Sequence, residues 1–454
     1  MCGTPECLTI LNQRLDEWHV AHPPGAAKGV DGNALASHIC NLARVLSMPG
    51  IIPDRRAGSM REALAFRVRA LAQRIETALQ GNHLIRYGKA LLAAGLAFSG
   101  EEADAWFRHG LALLDREIDI QVFRDGGHAD RSPMYQMMVF LDFLEALSLA
   151  RAAGSRAGEG WVPKLSRMAL FLDACHHPDG LPALLGDTSY AGLPAKRQLM
   201  SFARELGIRP DLLHRRAMQL FPDSLYAVAR DLSRGNYLIL DTGADGDTLD
   251  AAHYHCQAFS YELSLDGRRI ITDTGVFTLE AGRERTPGRS TAAHNSVSWK
   301  GRELSEIEER SGVGRRAQIT GRNLRRTAGG VLRFSGGLQG YYPGIERGSW
   351  QRRLLWSYQG ILEVADDWLH PRDAAGVVSR IHFAPGLALV AAGRGNWDIR
   401  LLHGPAIASV RVSAGEATVG TSPYHPSFGE TVERACLEIA LISNTAAYRL
   451  LPLA

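Results

Sequence analysis

Phe221-Pro222-Asp223-Ser224-Leu225-Tyr226-Ala227-Val228-Ala229-Arg230-Asp231-Leu232-Ser233-Arg234-Gly235-Asn236-Tyr237-Leu238-Ile239-Leu240 is the stretch where the pattern of the chain changes. Tyr226 to Val228 and Tyr237 to Leu240 are short β-type runs, and Gly235-Asn236 marks a turn between them. From there β-branched and aromatic runs recur at roughly ten-residue spacing, the pattern of an antiparallel sandwich. Such runs fall at 259–265, 269–272, 296–299, 360–364, 377–383, 399–402, 407–412 and 436–442.

Upstream of Phe221 the period is helical. Ser59 and Glu62 have the spacing of a capping box. Leu64, Val68, Leu71, Ile75 and Leu79 then form one apolar stripe, and Gly81 stops it. Further helices are expected after Asn82-His83, over 101–119, from Ser132 to about 153 with Pro133 in its first turn, and over 162–175, 193–206 and 209–219. His176-His177-Pro178-Asp179-Gly180 reads as a turn. Amphipathic helices on short connections pair as hairpins, which stack or close into a ring. The expectation is a helical domain over 1–220 and an antiparallel β-domain over 221–454.

At 454 residues the chain is too long for one compact core. A net charge of +3 implies no strong field for nucleic acid or an anionic membrane. Only five of the 51 basic residues are Lys; genomic bias explains this, and so does a ligand whose carboxylates or sulfates suit guanidinium forks. The six cysteines are scattered without a C-x-x-C pair, which suggests neither a zinc ribbon nor a disulfide framework. Nothing near the N-terminus resembles a signal peptide, and no run is long enough to span a membrane. The expected location is therefore cytoplasmic, or periplasmic if a segment precedes residue 1.

Three histidines and an aspartate, His253, His255, Asp273 and His294, fall within 42 residues of the β-domain. His253 and His255 are two apart, so on a regular strand they share a face. Imidazole and carboxylate suit zinc, and an imidazole also suits proton transfer. Asn82-His83 reads either as a helix cap with a solvated histidine or as donors to a substrate oxygen. Tyr135 reads either as a packing aromatic or as a phenol that moves protons. Asp179, Asp187, Asp366 and Asp367 read as turn or cap residues. No serine-hydrolase, zincin or dinucleotide motif occurs in a fitting context.

Several stretches together resemble the heparinase II/III-like polysaccharide lyases and related alginate lyases. They are Asn82-His83 with Lys89-Ala90-Leu91-Leu92; Asp125-Gly126-Gly127-His128 with Arg131-Ser132-Pro133-Met134-Tyr135; His177-Pro178-Asp179-Gly180; His253-x-His255; Asp273-x-Gly275; Arg289-Ser290-Thr291-Ala292-Ala293-His294-Asn295; and, more weakly, Val313-Gly314-Arg315-Arg316-Ala317. The resemblance implies an incomplete α/α toroid followed by an antiparallel β-sandwich. It also implies β-elimination at a uronate of a polysaccharide or oligosaccharide, in a cleft between the domains. By position, Asn82 and His83 match the pair that neutralises the uronate carboxylate. Tyr135 matches the tyrosine acid, and base for some substrates; His253 matches the histidine that acts as base or assists it. His255, Asp273 and His294 match the ligands of a structural zinc. Arg124, His128, Arg131 and Arg289 are candidate substrate contacts. Where the family often carries Gly-His-Ala-Asp, this chain has Tyr254-His255-Cys256-Gln257. The competing expectations are a glycan-binding or biosynthesis-associated protein of the same fold, and a zinc-dependent hydrolase.

Overall fold

The computed structural model describes residues 5–21, 31–48, 50–75, 81–210, 217–243, 253–309, 312–327, 330–341, 348–369 and 374–453. Helices come first: α1 (Pro5–Ala21), α2 (Gly32–Leu46), α3 (Asp54–Ile75), α4 (His83–Ala97), α5 (Glu101–Gln121), α6 (Pro133–Ala152), α7 (Val162–Ala174) and α8 (Lys196–Glu205). None among the described residues is long and apolar enough to cross a membrane. Asp31 caps α2 by accepting from the amides of Asn33 and Ala34. Helix α3 begins at Asp54, earlier than the capping-box spacing suggested. Ser59 therefore lies inside the helix, and its hydroxyl donates to the Arg56 carbonyl. Leu64, Val68 and Leu71 form the buried stripe as expected, while Leu79 lies outside the described residues.

Helices α4 and α5 pack backbone to backbone. A Cβ on Gly110 would meet the Gly88 carbonyl at 2.6 Å, so side chains at this crossing would force the helices apart. Lys89 is buried on α4 and meets Asp142 at 2.5 Å and Glu145 at 2.6 Å. Pairing satisfies a charge that burial would otherwise penalise.

The strands begin at β1 (Met218–Phe221), where a helix over 209–219 was expected; residues 211–216 lie outside the described residues. With β2 (Tyr226–Asp231), β3 (Asn236–Asp241), β4 (Tyr261–Leu265) and β5 (Arg268–Ile271) it forms a five-stranded sheet in chain order. A short helix, α9 (Thr286–Arg289), precedes β6 (Val297–Trp299). Then follow β7 (Gln318–Arg326), β8 (Leu332–Gly340), β9 (Gly348–Trp356), β10 (Leu362–Trp368), β11 (Val377–His382), β12 (Leu387–Gly393), β13 (Asn396–Leu401), β14 (Ala406–Ala414), β15 (Glu416–Tyr424), β16 (Val432–Ala440) and β17 (Thr445–Pro452). Eight of them pair in the order β12-β13-β14-β17-β10-β9-β8-β7, and four in the order β15-β16-β11-β6. Pairing between these strands is antiparallel, and one apolar core takes in Leu238, Tyr261, Trp350, Trp356, Ile381 and Leu437 from all three sheets.

The helix-to-strand switch thus falls between Glu205 and Met218, close to the expected boundary. The compact units divide differently. One comprises Met1–Phe123, Met138–Ser166 and Ser201–Ile208; the other comprises Arg124–Met137, Arg167–Met200 and Arg209–Ala454. The loop before α6, with the start of that helix, and residues 167–200, from within α7 to the start of α8, belong with the strands. Those two insertions build the site.

Candidate active site

Tyr135 sits in the first turn of α6. Its amide donates to the Ser132 hydroxyl, which in turn donates to the Asp187 carbonyl and lies 3.0 Å from the Thr188 hydroxyl. The start of the helix and the 186–189 segment are therefore one hydrogen-bonded body. The Tyr135 ring packs on that of His253, with centroids 4.4 Å apart. Both side chains are more than nine-tenths buried.

The histidines do not lie on strands, as their alternation had suggested. Residues 253–260 form a loop ahead of β4, with Phe259 in the left-handed region at φ 62°. Asp273 follows β5, and His294 follows a tight turn over Thr291–Ala293. His253 and His255 still share a target, the carboxylate of Asp187. His253 Nδ1 lies 2.7 Å from Oδ2, and His255 Nε2 lies 2.8 Å from Oδ1. Arg285 adds a bond to Oδ2 at 2.6 Å. Burial alone would raise the Asp187 pKa, but its hydrogen bonds to the two imidazoles, reinforced by the Arg285 charge, hold it well below the usual range. An ionised Asp187 can only accept, so both histidines donate to it. That leaves a lone pair on His255 Nδ1, while His253 Nε2 lies 3.9 Å from Asp130 Oδ2.

Asp187 had been read as a turn residue; it is instead the fully buried hub of the site. Its signal was the apolar run Leu181-Pro182-Ala183-Leu184-Leu185-Gly186 before it, because a carboxylate carried into a core needs donors. Gln257, where the chain departs from the family pattern, supports the same segment. Its amide oxygen accepts from the Gly186 N–H at 2.6 Å, and its nitrogen donates to Asp241 at 2.8 Å. Cys256 is buried, and burial pushes its thiol up to about 12; it stays a neutral packing group.

The second pair lies behind the first. His294 Nδ1 is 2.6 Å from Asp273 Oδ1, whose other oxygen accepts from Ser260. Burial opposes ionisation of Asp273, yet His294 and these hydrogen bonds hold it near 2. His255 and His294 have ring centroids 5.4 Å apart, and each keeps one buried nitrogen without a partner, Nδ1 and Nε2 respectively. Burial lowers His255 to about 4, so it stays neutral. Two open imidazole nitrogens backed by carboxylates suit a zinc ion. Asp273 differs from the expected ligand in that both its oxygens are engaged, one of them in orienting His294. Among the described residues no three His, Cys, Asp or Glu side chains converge to hold a metal.

The remaining candidates are placed as follows. Asn82 and His83 start α4 in the other unit. Asn82 makes no side-chain cap, and His83 Nδ1 lies 3.3 Å from the Asn33 amide nitrogen. Arg124 is exposed on a turn. His128 is buried beside Asp130, and burial lowers its pKa. Arg131 and Arg289, expected at substrate, are engaged within the fold. Arg131 reaches the carbonyls of Ser224 and Gly243 and the Asp241 carboxylate. Arg289 is 1% exposed and donates to the carbonyls of Tyr254, Glu308 and Gly312. Both guanidinia bridge loops, which leaves them little to offer a ligand.

The heparinase II/III-like C-terminal family model matches residues 213–447, and the heparinase II/III N-terminal model matches residues 64–204. The chain belongs to the heparinase II/III-like family. Curated relatives of this heparinase II/III-like chain include a heparin-sulfate lyase of Bacteroides stercoris, 25% identical over 260 residues, which are 50% of this chain and 37% of the relative. Another, from Bacteroides thetaiotaomicron, is 37% identical over 231 residues, 44% of this chain and 33% of the relative. The matched region thus spans about a third of the length of these relatives. Among solved structures, heparinase III superposes with a TM-score of 0.76 at 16% identity, covering 100% of this chain and 74% of the other. The heparan sulfate lyase of Pedobacter heparinus gives 0.66 at 17% identity, covering 99% and 73%. At these identities the likeness shows the fold: helices first, antiparallel sheets after.

Proposed function

We propose that this protein is a polysaccharide lyase that cleaves a uronate-containing glycan by β-elimination, with Tyr135 and His253 moving the protons. The observation that carries this reading is the packing of Tyr135 on a His253 whose Nδ1–H is held by Asp187. The C5 hydrogen of a uronate is weakly acidic, and its removal builds charge on the C6 carboxylate. A neutral imidazole with Nδ1–H fixed offers Nε2 as the base. His253 takes the C5 proton, the C4–O4 bond breaks, a C4–C5 double bond forms, and the Tyr135 phenol protonates the departing O4. No water enters the products. By resemblance, Asn82 and His83 are assigned to the carboxylate, where donors to the developing charge lower the barrier.

A structural zinc belongs to the same proposal. His255 Nδ1 and His294 Nε2 would hold it, with Asp187 and Asp273 orienting the two rings. When bound, the ion would tie the loop before β4 to the loop before β6.

The test is absorbance of the unsaturated product with heparan sulfate and other uronate glycans. A rise that Tyr135→Phe abolishes supports elimination. Chain cleavage without the chromophore would overturn it in favour of hydrolysis, and binding without cleavage of any uronate glycan would favour a non-lytic role.

A further inference from the structure

The outer face of the eight-stranded sheet carries a groove of about 810 Å³ lined by five arginines, Arg325, Arg333, Arg353, Arg411 and Arg449, with Glu363 its one acidic residue. Strand register lays most of these side chains in a single row. Arg325 on β7 faces Arg333 on β8, which faces Leu355 on β9. Leu355 faces Glu363 on β10, Glu363 faces Arg449 on β17, and Arg449 faces Arg411 on β14. At the usual spacing between strands the row is about 24 Å long.

Two features of this row make poor sense as packing. Arg325 opposes Arg333 and Arg449 opposes Arg411, and like charges directly opposite weaken a sheet. Arg353 and Arg449 have carboxylate partners in Asp367 and Glu363. Arg325, Arg333 and Arg411 are exposed, and none makes an ion pair among the described residues. The floor between the arginine pairs is made by Leu355, Ala365 and Ala447, partly exposed apolar surface suited to the face of a sugar ring.

We propose that this groove is a second binding site, separate in its residues from Tyr135 and His253, for a polyanionic glycan bearing sulfate or carboxylate groups. The guanidinium pairs at the two ends would each clamp an anionic group, bidentate geometry suiting both sulfate and carboxylate. A nucleic acid fits less well. Single strands are held by stacking on exposed aromatics, and the aromatics here, Phe334 and Tyr448, are 3% and 2% exposed. The formal net charge of +3 also gives no broad basic field. The site would let the protein hold a long chain while another part of it is processed, but the proposal needs only binding.

The test uses the full chain carrying Tyr135→Phe, so that the probe survives, and a fluorescent heparin oligosaccharide. Adding Arg325→Gln, Arg333→Gln and Arg411→Gln should raise the Kd tenfold or more and flatten its dependence on salt. The melting temperature should hold or rise, since facing positive charges are removed. Arg322→Gln, an exposed change outside the groove, should leave the Kd unchanged. Equal affinity and salt dependence in the parent and the triple variant would overturn the proposal, as would single-stranded DNA displacing heparin at equal concentration. An unsulfated polyuronate run in parallel separates carboxylate from sulfate recognition; binding of either chain through the three arginines supports the site. The readout is binding, so the arginine-dependent Kd together with a protein carrying the native Tyr135 that cleaves no uronate glycan would sink the lyase reading and leave this one standing.

Discussion

Asp187 Oδ2 accepts the Nδ1 hydrogen of His253 at 2.7 Å, while Oδ1 accepts from His255 at 2.8 Å. One buried carboxylate therefore sets the tautomers of the proposed base and of a proposed zinc ligand. Asp187→Asn keeps the shape but leaves Arg285 facing a neutral amide. Unsaturated-product formation should fall about 10²- to 10⁴-fold, the usual worth of a positioned acid–base group. Breaking the buried Arg285–Asp187 pair should also cost about 3–5 kcal/mol in urea unfolding. Unchanged turnover would show that the orientation of His253 does not depend on Asp187.

Tyr135 and His253 act in one event under the proposed mechanism, so their losses should not add. Tyr135→Phe and His253→Gln are each expected to lower kcat about 10²- to 10⁴-fold with little change in KM. The double variant should be little worse than the poorer single one. Multiplicative losses in single-turnover assays would mean that the two side chains serve separate steps.

The metal proposal separates ligands from their supports. Zinc content of the purified protein should approach one per chain and be lost in His255→Ala or His294→Ala. Asp273→Asn should weaken zinc by about 10- to 100-fold without abolishing binding, as for a carboxylate that orients a ligand. Complete loss of zinc in Asp273→Asn would make Asp273 a ligand after all. Chelation should lower the melting temperature, because the metal would link two loops.

Periodicity carried most of the fold. The stripe through Leu64, Val68 and Leu71 and the runs flanking Gly235-Asn236 announce their elements locally, and the helix-to-strand order followed. β7 did not announce itself, because most of its residues are exposed and the alternation is lost; β8 is interrupted by Gly336-Gly337. Tyr135, His253, His255, Asp273 and His294 stood out in the sequence, and the fold links them through ring contacts and the Asp187 carboxylate. Asp187 did not stand out, because its partners lie 66 and 68 residues away and a single sequence carries no trace of such pairing. Arg131 and Arg289 misled for the converse reason: charge suggests a ligand, and only the coordinates reveal the carbonyls they hold.

His176 offers a test of stability against pH. Its Nδ1 donates to the Leu172 carbonyl, and its Nε2 is buried without a partner. Burial, helped by the nearby Lys196 charge, lowers its pKa from 6.5 to about 3. Between those values the unfolded chain binds a proton that the folded chain refuses, so acid favours unfolding. The stability is full above pH 6.5 and falls as pH drops toward 3, by about 1.4 kcal/mol per pH unit well inside that window. His176→Asn can keep a donor for the carbonyl and removes the titration. Urea unfolding at pH 7.5, 6.5 and 5.5 should therefore show a shallower decline for the variant than for the parent. The remaining slope would belong to other buried histidines such as His177 and His382, which burial also lowers. Parallel declines would mean that His176 is not held neutral in the fold.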